Sequence, residues 1–424
     1  MNPKVAFFYP YRPANGVSAL FVRLAKLLNS RFSTETCVID FHDGFMSRQL
    51  EPSDSVELRL FSNDTFVDVV AGEILVLQGD VPYRIRRQLR ISTGAKVVYW
   101  QLHPFNFIPA VIPIIGHRLG LTDRPQLYRL LSRALLPRQL KTSIDFVQLL
   151  NRRRSLFLMD ETALRTTETY LQCRLLNPQF LPVALVVPDK PQREHRISMT
   201  VLNIAWIGRL HNFKIYILIH TIRRLIEVSE TTNCCLIFHV IGGGPEERML
   251  ADVDPSSRSF ELIRIADMGL KEMRDYLLER IDLVMAMGTA ALEAAALGLP
   301  VILLDFSYSP IRTAYRFRWL QDAQGFDLGH PITTKDDDTS GTSLHELLAA
   351  LQQDYKNIAA ASYLYCRRNH NIDTVSADFM ALVATANLLY GEIPCEMFQK
   401  SWIRRIYDSL QHNILTAQDA EKKA

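Results

Sequence analysis

The chain has 424 residues, 48% of them hydrophobic and 22% charged, and a formal net charge of only +3. That length exceeds one ordinary core and predicts two domains, while the balance of residues excludes a disordered or collagen-like chain. No stretch approaches the roughly 20 apolar residues that span a bilayer. The opening run Val5 to Tyr9 has neither the length nor the small-residue site of a secretory leader, so the expected location is the cytoplasm.

The six cysteines, Cys37, Cys173, Cys234, Cys235, Cys366 and Cys395, form no Cys-x-x-Cys pair. Reduced, mostly buried thiols are expected rather than a disulfide framework or a zinc site. Charge is distributed unevenly. Between Val81 and Ser155 there are fourteen Lys and Arg against two acids, Asp123 and Asp145, a local +12 that leaves −9 for the remainder. One half of the molecule is therefore expected to face something anionic.

In chain order, Val5 to Tyr9 is a run of strand length, and Pro10 to Gly16 is dense in turn residues. Val17, Leu20, Phe21, Leu24 and Leu28 then recur at helical spacing, with Arg23 and Lys26 on the other face. Further apolar runs lie at Cys37–Phe41, Ile74–Gln78, Lys96–Gln101 and Ser155–Met159. Near-continuous apolar strands separated by helices suit a parallel sheet covered on both faces.

Within this half, Phe105 to Ile115 is apolar. Arg118, Arg124, Arg129, Arg133, Arg138 and Lys141 follow, interleaved with Leu127, Leu130, Leu131, Leu135 and Leu136. Two readings stay open: an interfacial segment on an anionic membrane, or a core helix with a solvated basic side. Nucleic acid is not expected, since no recognised binding module accompanies the patch.

Pro182 to Ser198, with three prolines, reads as a linker. Beyond it the alternation restarts: strands at Leu202–Ile207, Cys234–Ile241, Glu261–Ile265, Leu283–Met285 and Val301–Leu304, with a helix at Tyr216–Val228. Two doubly wound units result, and sheets of this kind bind ligands beyond the carboxyl ends of their strands. The expected divisions are residues 1–185, 186–395 and a C-terminal helix with a frayed tail over 396–424.

Asp282 to Ile302 carries the most chemistry. A strand ends at Gly288, a helix starts near Thr289, and Glu293 sits in its first turns. Ala290, Ala291, Ala294, Ala295 and Gly298 let that helix approach the sheet closely. Backbone N–H groups after Gly288 can meet a phosphate at the positive helix end, and a carboxylate at Glu293 can accept from two ribose hydroxyls. Helix physics alone equally allows Glu293 merely to favour the helix start. In Trp206-Ile-Gly-Arg-Leu-His-Asn-Phe-Lys214, Arg209 and Lys214 lie between a strand and a helix, and on spacing alone they read as ordinary surface charges. His239-Val-Ile-Gly-Gly-Gly-Pro-Glu-Glu247 departs from a dinucleotide fingerprint, because Glu247 stands where a third small residue is needed.

These three segments resemble GT-B glycosyltransferases, particularly glycosyltransferase family 4. The resemblance implies two Rossmann-like domains facing each other across a cleft. Glu293 would bind the donor ribose, and Gly288 and Thr289 would meet the donor phosphate. Gly208, Arg209 and Lys214 would clamp the diphosphate, with Gly243 and Gly244 near the nucleotide. In the amino-terminal half, Asn15-Gly16-Val17-Ser18 is similar to the family's glycine-rich loop, where close approach to the donor phosphate or acceptor needs a residue without a Cβ. His103, in Val98-Tyr-Trp-Gln-Leu-His103-Pro-Phe-Asn106, ends another strand where related enzymes have polar groups that touch the transferred sugar, although a lone His is more often structural.

One position departs from the family. A second Glu, eight residues before the ribose-binding one, is Met285 here, so recognition of the sugar must differ. Asp252-Val-Asp254 and Asp336 to Asp338 read as surface turns rather than a metal site. The implied activity is metal-independent, retaining transfer from a nucleotide diphosphate sugar to a hydroxyl on a glycan or lipid-linked acceptor. The donor is a substrate, and no cofactor is implied. A nucleotide-sugar epimerase and a non-catalytic nucleotide-sugar binder are the alternatives.

Overall fold

A computed structural model describes residues 3–400 except 14, 63, 110–123, 194–199, 233, 252, 254–256, 266–267, 312–314 and 333–340. The end of the apolar segment after Phe105, the acidic turns and most of the C-terminal helix expected over 396–424 lie outside the described residues.

The first half is built on a seven-stranded sheet in the order β3-β2-β1-β5-β7-β8-β9. Its strands are β1 (Val5–Phe8), β2 (Thr36–Asp40), β3 (Glu57–Leu60), β5 (Ile74–Gln78), β7 (Lys96–Gln101), β8 (Leu156–Leu158) and β9 (Gln179–Phe180). All its pairings are parallel. β4 (Val67–Val69) and β6 (Leu89–Ile91) pair separately. The apolar runs are strands for a simple reason: β1 and β2 are buried at every residue, on both faces. Helix α1 (Gly16–Phe32) presents Leu20, Phe21, Leu24 and Leu28 to this sheet. Its N-cap is Asn15, whose side chain accepts from Ser18 N at 2.9 Å. Among the described residues this half also carries α2 (Phe45–Gln49), α3 (Pro125–Leu135), α4 (Pro137–Arg152) and α5 (Glu161–Leu171).

The second sheet runs β12-β11-β10-β13-β14-β15. It comprises β10 (Val201–Ile207), β11 (Cys235–Ile241), β12 (Phe260–Ile265), β13 (Leu283–Ala286), β14 (Val301–Leu303) and β15 (Arg318–Trp319). Only β15 is antiparallel, at the edge. Helices α6 (Ile215–Thr231), α7 (Leu270–Arg280), α8 (Thr289–Ala296) and α9 (Leu344–His370) cover it.

Strand order reverses between β1 and β5 in the first sheet and between β10 and β13 in the second. Crevices at such switch points are where doubly wound sheets hold ligands. The loops leaving these strands carry Gly16, Lys214 and Thr289.

The chain crosses between the halves twice, side by side. Leu185 N donates to His370 O (2.9 Å) and Ile372 N donates to Leu185 O (2.8 Å). After the second crossing, α10 (Ile372–Thr385) packs Phe379 and Val383 into the core of the first half. Val97 N then donates to Leu388 O at 3.0 Å. The chain thus re-enters the first half after Asn371. The apolar positions of 372–398 look alike in sequence whichever sheet they cover, and only packing assigns them. All six cysteines are free thiols, four of them buried. Among the described residues, no helix is long and apolar enough to cross a membrane.

Candidate functional site

The loop from β10 to α6 delivers two cations to the second switch point. Arg209 is exposed, whereas Lys214, the residue preceding α6, is partly buried. A methyl group on Gly208 would stand 3.4 Å from Lys214 Nζ, and the Phe213 ring centroid is 5.7 Å from the same nitrogen. Among the described residues neither cation has an ion-pair partner. Burial, and then the charge of Arg209, push the Lys214 ammonium down to about 8. Two like charges held without a carboxylate form a site that an anion would relieve.

The glycine turn after β11 supports this loop from behind. Leu210 N donates to Gly243 O (3.0 Å) and Glu246 N to Leu210 O (3.2 Å). A Cβ on Gly244 would lie 2.3 Å from Leu210 O, a backbone atom that cannot swing away. Gly244 is thus required for the packing of two loops, a role its position in a glycine run does not reveal.

Next to β10, β13 ends in Met287 and Gly288. Gly288 adopts φ 64°, ψ −145°, a conformation that suits glycine, and caps α8. Its N–H donates to Leu328 O at 2.8 Å. Thr289 opens the helix and faces Gly16 of the first half: a methyl on Gly16 would stand 3.6 Å from Thr289 Cγ2. A side chain of one carbon at position 16 would thus make ordinary contact with the other half, so glycine is not required here by packing alone.

Glu293 lies one turn further along α8. Arg23 of α1 reaches across and holds it, Nη2 to Oε1, at 3.5 Å. Burial raises the Glu293 pKa, and Arg23 offsets part of the rise. The carboxylate borders a cavity of about 270 Å³ whose other walls include Val186, Pro188, Leu270 and Met273. Arg23 is a residue that sequence reasoning missed. Helical periodicity puts it opposite the apolar stripe, and that face is met here by the other half rather than by solvent alone.

Met285 is wholly buried in β13, in register with Trp206 and Ile302. Polar groups gather instead beside the Gly288 turn. Arg318 donates to both oxygens of Asp305 (2.5 and 2.7 Å) and to Asp327 Oδ2 (2.7 Å), and His330 Nδ1 lies 3.0 Å from Asp327. Asp305, Asp327 and His330 could together ligate a cation. The Arg318 guanidinium already fills that place, making the cluster a closed ion-pair network. Burial opposes protonation of His330, but Asp305 and Asp327 outweigh it and raise its pKa.

His103 follows β7 in the first half. Its Nδ1 accepts from Phe105 N at 3.2 Å, which leaves Nε2 as the protonated nitrogen of a neutral ring. Burial lowers its pKa to about 4, so it stays neutral near pH 7. It borders a cavity of about 540 Å³ at the carboxyl ends of β1, β5 and β7, with Tyr9, Tyr11, Asp80 and Arg86 around it. The cavity is bridged to the other half by rings. Phe105 stands edge-on to Tyr308 at 6.4 Å, and Tyr308 lies 6.0 Å from Phe213 beside Lys214.

The structure thus collects Gly208, Arg209, Lys214, Gly288, Thr289 and Glu293 at one switch point and sets Gly16 against Thr289. His103 stands across the cleft, while Gly243 and Gly244 lie behind it. Solved structures share the overall fold. Anabaena HepE in complex with UDP-glucose superposes with a TM-score of 0.51 at 11% identity, covering 90% of this chain and 100% of that one. A glycosyltransferase from Rickettsia africae gives 0.54 at 10%, covering 91% and 98%. The N-terminal domain of Candida albicans trehalose-6-phosphate phosphatase gives 0.52 at 11%, covering 91% and 98%. The chain has the GT-B fold. At these identities the likeness establishes the GT-B architecture alone. No family model matches the chain, and no curated protein does.

Proposed function

We propose that this protein is a glycosyltransferase that moves a hexose-type unit from a nucleoside diphosphate sugar to a hydroxyl acceptor. The observation that carries the reading is the unpaired cation pair Arg209 and Lys214, placed at the switch point of a GT-B sheet. A leaving diphosphate gains charge as the anomeric C–O bond breaks. A cation already partly desolvated and fixed in place, as Lys214 is, stabilises that charge most in the transition state, and the exposed Arg209 adds to it. The acceptor oxygen forms the new bond to the anomeric carbon, and its proton passes to the departing phosphate. Glu293, beside its own cavity, would take the ribose hydroxyls. The Thr289 helix end would face the phosphates, and the neutral Nε2–H of His103 would donate to the sugar.

Retention of configuration, independence of metal and a glycan or lipid-linked acceptor complete the proposal, and the UDP-glucose bound by HepE favours a uridine donor. The exposed Leu130 and Leu135 of α3, among arginines, suit an anionic membrane surface on the first half. The burial of Met285 favours one second reading, a protein that binds the donor without transferring sugar.

Thermal unfolding with UDP, GDP, ADP and their sugars tests the donor site. A ligand at 100 times its Kd stabilises by about 2.7 kcal/mol. A shift with one base, lost in Glu293→Ala, is expected, and absence of any shift refutes the site. Transfer of label to acceptors in a membrane extract then separates a transferase from a binder, and an unchanged donor in the absence of acceptor excludes an epimerase.

A further inference from the structure

Far from the cleft, the carboxyl end of α4 and the loop after α5 enclose a cavity of about 620 Å³. Its walls include Arg152, Arg154 and Arg174, with Asn151, Gln148 and Asn177 between them and no acidic residue. Among the described residues none of these three arginines has an ion-pair partner. Arg153, next to two of them, is by contrast committed to Glu392 at 2.5 Å. Three guanidiniums on one concavity without an acid among its walls concentrate positive charge where an anion can meet all three.

The backbone holds them there at some cost. Arg154 has φ 52° and Asn177 φ 53°, left-handed conformations; the first follows a helix end, where glycine is the usual occupant. The loop is also tied down. Asn151 Nδ2 donates to Leu176 O at 2.9 Å, and Arg133 of α3 donates to Gln172 Oε1 at 2.6 Å. Leu176, on the cavity wall, is 69% exposed.

We propose that Arg152, Arg154 and Arg174 form an anion site that takes a phosphate group, presented either by a lipid headgroup or by a soluble phosphorylated ligand. Guanidinium forks match the tetrahedral oxygens of phosphate, and the neighbouring amides supply further donors. The site is separate from the proposed donor cleft, so it stands whether or not the protein transfers sugar.

The test compares wild type, the triple variant Arg152→Gln/Arg154→Gln/Arg174→Gln, and a control of equal charge loss, Arg223→Gln/Arg248→Gln/Lys356→Gln. The control residues are exposed and lie on the other half. All six positions are on the surface, and matching melting temperatures confirm that the variants fold. Binding is measured at physiological salt, where diffuse surface attraction is screened. One arm uses vesicles of phosphatidylglycerol in phosphatidylcholine, and the other uses inorganic pyrophosphate with UDP present to occupy the cleft. The expected result is at least tenfold weaker binding of one probe by the triple variant and no change in the control. Loss with the vesicles alone assigns a lipid headgroup, and loss with pyrophosphate a soluble ligand. Equal losses in both variants, or no binding of either probe by wild type, overturns the proposal.

Discussion

Replacing Lys214 with Met isolates the electrostatic strain at the candidate site. The ammonium is lowered from 10.5 to about 8, by burial first and by Arg209 second. That displacement corresponds to on the order of 3 kcal/mol of stability withheld from the charged native state. The sign follows from proton counting. Below pH 8 both native and unfolded chains carry the proton, and the native state bears the full cost. Between pH 8 and 10.5 the native state releases it first, so stability rises with pH. Lys214→Met, of similar length and without charge, is therefore expected to unfold at higher denaturant than wild type at pH 7.5. The gap should narrow to under about 1 kcal/mol by pH 10. The same variant loses the partner of the donor diphosphate, and affinity for the nucleotide is expected to fall roughly 10- to 100-fold, as for a charge-assisted hydrogen bond. Urea titrations at the two pH values, with and without nucleotide, measure both effects. A variant no more stable than wild type at pH 7.5, with a pH-independent difference, would refute the reasoning that Lys214 is an unpaired, desolvated cation.

Gly244→Ala places a methyl 2.3 Å from Leu210 O and is expected to cost about 1–3 kcal/mol in a denaturant titration, whereas Gly288→Ala meets no atom and is resisted only by its backbone conformation. Arg318→Met leaves Asp305 and Asp327 buried without their cation, and a loss of roughly 3–5 kcal/mol is expected; a loss below about 1 kcal/mol would contradict the closed network. Because burial holds His103 at about 4, the pH–rate profile between pH 5.5 and 7.5 should keep its shape in His103→Gln while the rate falls. Arg23→Gln removes the charge that holds the Glu293 pKa down, so nucleotide affinity in that variant should weaken more steeply than in wild type as pH drops from 7 to 5.5, read by calorimetric titration.

Much of this was legible before any coordinates. Local patterns report local structure faithfully: Val17, Leu20, Phe21, Leu24 and Leu28 recur at helical spacing and are one helix, and the run before Gly288 is a strand. Turn chemistry and small residues marked Gly288 and Thr289 because a strand-to-helix turn leaves few alternatives, whereas Gly208 was marked by the resemblance to GT-B glycosyltransferases. The misjudged features are long-range. The pairing of Arg23 with Glu293 spans 270 positions, and no periodicity links them. The close packing of Gly244 against Leu210 O is likewise a contact between separate loops that the glycine run does not announce.

Composition, apolar spacing and glycine placement were enough to specify two parallel sheets, their order along the chain and the loops that hold the candidate chemistry, because each depends on neighbours within a few turns of chain. Tertiary packing decided the rest: that 372–400 packs on the first half, that Lys214 has no counter-ion among the described residues, and that Arg318 closes the Asp305 and Asp327 cluster. Burial and charge pairing are properties of what surrounds a residue in space, and those surroundings come from segments far apart in the chain.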